Sequence, residues 1–136
     1  MLLERKTAVI YGAGGAVGGT IARAFASEGA SVFLAGRTRT TLEKVAAHIS
    51  RAGGKVEIAE LDPLDERSVE LYAAAVVANA GGLDISFNAI GLGDTQGVPL
   101  VEISHEHFAL PIINAMKTHF CTTTTAARHM AKKRSG

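Results

Sequence analysis

The sequence predicts an α/β fold, a doubly wound parallel sheet of strand order 3-2-1-4 with flanking helices. Three observations predict it. Short apolar, β-branched segments alternate with amphipathic helical stripes, a glycine-rich turn joins the first segment to the first stripe, and the linkers between elements are short. Parallel strands need helical crossovers, and right-handed crossovers leave few arrangements, of which 3-2-1-4 is the favoured one. With 136 residues and 47% hydrophobic content the chain suits a single domain over residues 1–136, burying roughly two-thirds of its unfolded surface.

The first element lies in Thr7-Ala-Val-Ile-Tyr-Gly-Ala-Gly-Gly-Ala-Val-Gly18. Its start reads as a strand and its end as a bare turn opening onto a helix, with Val17, Ile21, Ala24 and Phe25 on one face. Residues 31–35 read as a buried second strand. Leu42, Val45, Ala46 and Ile49 recur at helical spacing and are stopped by Gly53-Gly54. Residues 55–61 give the third strand. Val69, Tyr72, Ala73 and Val76 repeat the stripe up to Gly81-Gly82, and residues 84–88 give the fourth strand. A final stripe of Ile113, Met116, Phe120, Thr123, Ala127 and Met130 suits packing on a sheet or another helix. Pro111 fits a first-turn position or a break, which predicts a separate turn or short helix over residues 106–110. Lys132-Lys133-Arg134 reads as a complement to the negative helix end, or as a basic interaction tail.

A formal net charge of +1 gives no reason to expect nucleic acid or an anionic membrane as the main partner. The single Cys121 excludes an internal disulfide. No apolar run approaches the length of a membrane span, and Glu4, Arg5 and Lys6 interrupt any signal-peptide core, so a cytoplasmic location is expected. His105-Glu-His107 is not a metal pair, because histidines two apart on a helix point to nearly opposite sides; Ser104 reads as an N-cap in front of exposed histidines, and no metal site is expected.

The glycine turn carries the chemistry. Bare backbone lets a pyrophosphate approach closely, and unpaired N–H groups with the positive helix end favour its charge. The strict Rossmann spacing would need glycine at position 17, where Val17 stands. Read as Gly12-x-x-x-Ala16-x-Gly18, the turn resembles the Thr-Gly-x-x-x-Gly-x-Gly turn of the short-chain dehydrogenase/reductase family, with Tyr11 in place of threonine and Ala16 in place of the middle glycine. The resemblance implies a Rossmann-like domain holding a nicotinamide dinucleotide at Gly12, Gly14, Gly15, Ala16, Val17 and Gly18. It extends down the chain. The family's cofactor-selecting acidic residue after the second strand is replaced by Gly36, followed by Arg37, which implies NADP(H) in preference to NAD(H); Arg39 stands ready to assist. Asp62, in Leu61-Asp-Pro-Leu-Asp65, matches the aspartate that meets the adenine amino group, or else caps the next helix. Asp84-Ile-Ser-Phe-Asn-Ala-Ile-Gly91 is similar to the family's fourth strand and its Asn-Asn-Ala-Gly ending. Asn88 would then tie the central strands together, while Ala89 to Gly91 line the ribose.

The same resemblance implies a catalytic tyrosine, a lysine four residues later, a serine and a helix asparagine. Tyr11 and Tyr72 are the only tyrosines, and neither has lysine four residues on. Asn114 is the one candidate remnant, although family register falls nearer Ala115, about 100° away round the helix. Arg134-Ser-Gly136 is similar to the turn before a fifth strand, so the chain is expected to be the truncated N-terminal, cofactor-binding part, with the catalytic half absent. The expected function is the NADP(H)-binding part of an oxidoreductase moving hydride between NADPH and a carbonyl, alcohol or enoyl substrate. The alternative is a non-catalytic NADP(H)-binding or self-association module. A small-molecule substrate is expected only with the other half present. Homo-oligomers are expected through the helix over residues 113–130, and the fourth strand should form an apolar edge that leaves Ile85 and Phe87 uncovered.

Overall fold

A computed structural model describes residues 1–136. Its elements run β1 (Thr7–Tyr11), α1 (Ala16–Ser27), β2 (Ser31–Gly36), α2 (Arg39–Arg51), β3 (Lys55–Glu60), α3 (Glu66–Ala80), β4 (Ile85–Asn88) and α4 (His105–Lys133). The four strands form one sheet in the order β3-β2-β1-β4, all parallel, as expected. β1 lies at the centre with every residue buried. Its side chains alternate between two cores, as a period of two requires. Ala8 and Ile10 pack with Val32 and Leu34 against Ala22, Leu42, Val45 and Ile49 of α1 and α2. Val9 and Tyr11 pack with Phe33 and Ala35 against Val69 and Val76 of α3 and Cys121 and Ala126 of α4.

The stripes of α2 and α3 face the sheet as their spacing predicts, and left-handed Gly53 and Gly81 stop their helices. α1 departs from expectation. Its buried face is Gly18, Gly19 and Ala22, whereas Val17 is 65% exposed. A helix that begins at a phosphate-type turn must lie close to that turn, and only small residues permit the approach. A side-chain carbon on Gly18 would stand 2.9 Å from the Ala13 Cα.

α4 corrects one further expectation and settles which face of the helix packs inward. It runs unbroken through Pro111. Ser104 fixes its first turn by accepting from the His107 N–H at 3.1 Å, and the bond that Pro111 cannot donate leaves only the exposed His107 carbonyl to water. The face that α4 turns inward is Thr118, Cys121, Thr122, Thr125 and Ala126, not the apolar stripe, so Ile113, Met116 and Phe120 stand exposed. Threonine can be buried here because its hydroxyl bonds back along the helix, Thr118 to the Asn114 carbonyl at 2.9 Å and Thr122 to the Thr118 carbonyl at 2.8 Å. At the edge strand, Ile85 and Phe87 are half-buried rather than bare. Phe25 of α1 meets the Phe87 ring edge-on, centroids 6.3 Å apart, and supplies cover.

Candidate functional site

The turn after β1 is drawn onto β2, with the Gly12 and Ala13 N–H groups both donating to the Ala35 carbonyl at 2.8 and 3.2 Å. Gly12 has φ +73°, and a side-chain carbon there would come within 2.6 Å of the Ala89 carbonyl carbon. Glycine is therefore required by conformation and by space. Gly15 is the N-cap of α1 and offers no side chain, so the N–H groups of the first turn are free to meet an anion, reinforced by the helix dipole.

These groups open into a cleft of about 450 Å³ at the carboxyl ends of the strands. The chain leaves β1 toward β2 on one side while β4 lies on the other, so the cleft sits at the topological switch point of the sheet. Gly12, Gly14, Gly15, Ala16 and Val17 line one wall, Gly36, Arg37, Thr38 and Thr41 a second, and Pro63, Ala89, Ile90 and Gly91 the remainder. Val17, expected both on a helix stripe and at the cofactor, is exposed and lines the cleft. Gly18 lies buried beneath the turn instead of lining the cleft.

Arg37 and residues 63, 90 and 91 continue into a smaller cavity of about 80 Å³, which adds Asp62, Leu92, Asn114 and Thr118. Asp62 is exposed there, and its Oδ1 accepts from the Leu64 N–H at 3.0 Å. The capping role falls to Asp65, which accepts from Ser68 N–H and hydroxyl; the Ser68 bonds hold its carboxyl below the ordinary carboxylate range. Asn114 points inward, its Nδ2 3.5 Å from the Leu92 carbonyl. It shares a face with Thr118, four residues on, because α4 packs by its threonines.

Two further expectations change. The Asn88 side chain does not bridge the central strands: its Nδ2 donates to Thr122 Oγ1 at 3.3 Å, and its Oδ1 accepts from the Ile90 N–H at 3.0 Å. Asn88 therefore fixes the cleft rim to α4, while its backbone alone pairs with Tyr11. Arg39 is turned along its own helix, with Nε 2.9 Å from Glu43 Oε1, so Arg37 is the cation that faces the cleft. Tyr11 and Tyr72 pack edge to face at 6.5 Å in the core, where burial pushes both phenols well above their ordinary range. Neither lines the cleft. No group of histidines, cysteines and carboxylates is placed to hold a metal ion, and no helix is long and apolar enough to cross a membrane.

Sequence reasoning missed Thr38, Thr41, Pro63 and Leu92. Thr41 had a local signal, its place in the first turn of the helix that Thr38 caps; its approach to Gly14, where a side-chain carbon would stand 2.9 Å from the Thr41 Cβ, is visible only in the folded chain. The Asp84 clamp was also missed. Asp84 is buried, accepts from the Thr7 N–H at 2.8 Å and from Lys133 Nζ at 3.1 Å, and has Lys6 Nζ at 3.9 Å. Burial alone would raise its carboxyl, but the Thr7 N–H, Lys133 and Lys6 outweigh it and hold the group below its ordinary value.

A parallel sheet with a bare glycine turn and a free helix N-terminus at its switch point defines a nucleotide-binding α/β domain. The family model of short chain dehydrogenases matches residues 6–136. The chain belongs to that family of oxidoreductases, which bind a nicotinamide cofactor. It is 38% identical over 95 residues to an uncharacterized oxidoreductase, YxbG, of Bacillus subtilis, covering 70% of this chain and 35% of the relative. Against sorbitol dehydrogenase of Cereibacter sphaeroides it is 32% identical over 137 residues, covering 100% of this chain and 52% of the relative. A metagenomic short-chain oxidoreductase solved in complex with NADP superposes with a TM-score of 0.87 at 29% identity, covering 100% of this chain and 61% of that one. An NAD+-bound xylitol dehydrogenase superposes with a TM-score of 0.90 at 26% identity, covering 100% of this chain and 52% of that one. The chain thus spans between about a third and three-fifths of the proteins it matches.

Proposed function

We propose that this chain is the NADP(H)-binding part of a short-chain reductase that moves hydride between NADPH and a carbonyl, alcohol or enoyl substrate. The observation that carries it is Gly36 followed by Arg37 at the end of β2, both lining the cleft. One solved neighbour is in complex with NADP and another is NAD+-bound, so the fold accommodates both and the choice rests on residues such as these. An acidic side chain at Gly36 would repel a 2′-phosphate. Packing does not force its absence, since a side-chain carbon there would meet Leu42 Cδ2 at an ordinary 3.4 Å. Arg37 adds a charge-assisted contact worth about 1.5–3 kcal/mol, tenfold or more in affinity.

The residues present fit the cofactor. Gly12, Gly14 and Gly15 leave backbone bare where the pyrophosphate approaches, the first turn of α1 offers its N–H groups, and Asp62 keeps Oδ2 for the adenine amino group. Ala89 and Gly91 form the ribose side, held by Asn88, and Asn114 is the candidate for proton relay. The bound nicotinamide supplies the hydride. Neither tyrosine is placed to act as its acid, because Tyr11 is buried in the core and Tyr72 packs edge to face against it with its hydroxyl buried. That observation favours, for the isolated chain, binding without turnover. The exposed Ile113, Met116 and Phe120 support self-association through α4.

Titrating the chain into NADPH and following cofactor fluorescence tests the proposal. Saturable one-to-one binding that an adenosine 2′-phosphate fragment competes away is expected. Binding that fails to saturate would overturn it.

A further inference from the structure

α4 is fastened at three levels, to the loop after β4, to β4 itself and to the residue before it. Near the cleft, Asn114 Nδ2 reaches the Leu92 carbonyl; in the middle, Thr122 Oγ1 accepts from Asn88 Nδ2; at the far end, Lys133 Nζ donates to Asp84 Oδ1 at 3.1 Å. The spacing is that of a helix running antiparallel to the chain beside it. Eleven residues of helix from Thr122 to Lys133 rise about 16 Å, and the four steps from Asn88 back through β4 to Asp84, the residue before it, about 13 Å.

The far level is built for its lysine. Asp84 is buried against the first residue of β1, its Oδ2 accepting from the Thr7 N–H while its own N–H donates to the Thr7 carbonyl at 2.9 Å. Gly82 is buried beneath Lys133, and a side-chain carbon there would stand 2.6 Å from Nζ. A side chain at Gly82 would displace the lysine from its present path to Asp84. The middle level leads to the cleft, because the same Asn88 amide that donates to Thr122 accepts from the Ile90 N–H, and Ile90 lines the cleft between Ala89 and Gly91.

We propose that Asp84 and Lys133 are positioning residues for the cofactor cleft: they fix the axial register of α4 on β4, and Thr122 and Asn88 carry that register to the rim at residues 89–91. Asn114, on the inner face of the same helix, is placed by the same register. The part that concerns cofactor affinity rests on the proposed NADP(H) function; the part that concerns the rim does not.

Amide NMR of the cofactor-free chain separates the two. Lys133→Met leaves the Asp84–Thr7 bonds in place, and is expected to shift the Ile90 and Gly91 amides and speed Ile90 exchange while Leu34, between β1 and β3, keeps its protection. Lys133→Arg should restore the native rim. Thr122→Val cuts the relay in its middle and should release Ile90 likewise, which keeps the test decisive if Lys133→Met does not fold. NADPH affinity should fall about three- to thirtyfold in both disruptive variants. An unmoved Ile90 amide, or a uniform rise in exchange across every strand, would overturn the proposal. Absent NADPH binding in the wild type, with the rim shift intact, would count against the cofactor assignment alone.

Discussion

Gly12 and Ala89 meet across the floor of the cleft, with the β1 turn pressed against the backbone that leaves β4 so closely that a side-chain carbon on Gly12 would lie 2.6 Å from the Ala89 carbonyl carbon. The two walls are therefore set by backbone contact, and Gly12 carries both fold and site. Gly12→Ala should cost about 1–3 kcal/mol from its positive φ, with more from the overlap. Thermal unfolding of the variant should show a clear fall in midpoint together with lost NADPH binding.

Gly15→Ala separates the two roles. Gly15 is exposed, with an extended φ of −82°, and a side-chain carbon there meets nothing closer than the Gly12 carbonyl at 3.4 Å. Stability should stay within about 1 kcal/mol of the wild type. The added methyl occupies the space a pyrophosphate needs, so affinity should fall by about tenfold or more. Normal binding by Gly15→Ala would place the phosphates elsewhere.

The Asp84 carboxyl is held below its ordinary value in the folded chain. A depressed folded value stabilises above the unfolded pKa of about 3.9 and ceases to stabilise as pH falls through the lower folded one. Asp84→Asn should therefore cost about 1–3 kcal/mol near neutral pH, and the gap between variant and wild type should narrow as pH falls below the unfolded value of about 3.9. Chemical denaturation across this range checks it; a gap that does not change with pH would mean that the Asp84 charge contributes nothing.

Phe120 is 68% exposed on α4, while its neighbour Cys121 is buried. Phe120→Glu should leave the unfolding midpoint of a monomer nearly unchanged and abolish association, read by sedimentation over a concentration series. Equal sedimentation of variant and wild type at all concentrations would remove α4 as an interface.

Much of the fold was legible because it follows from period. Val9 and Ile10 of β1, Leu42 and Ile49 of α2, and Val69 and Val76 of α3 sit where two-fold and 3.6-fold repeats put them. The faces of α1 and α4 were not legible from hydrophobicity. α1 buries glycines because the turn demands close approach, and α4 buries threonines whose hydroxyls are satisfied within the helix. In the site, the glycine turn, Arg37 and Asp62 could be read locally. Asn88 with Thr122 and Asp84 with Lys133 could not, because those partners are 34 and 49 residues apart and only the folded chain brings them together.

The central claim is that Gly36 and Arg37 make this cleft select a 2′-phosphate, and calorimetric affinities for NADPH and NADH in the wild type, Arg37→Ala and Gly36→Asp test it most directly. NADPH should bind about tenfold or more tighter than NADH in the wild type; Arg37→Ala should remove that preference, and Gly36→Asp should reverse it. Equal affinities in the wild type, left unchanged by both substitutions, would contradict it.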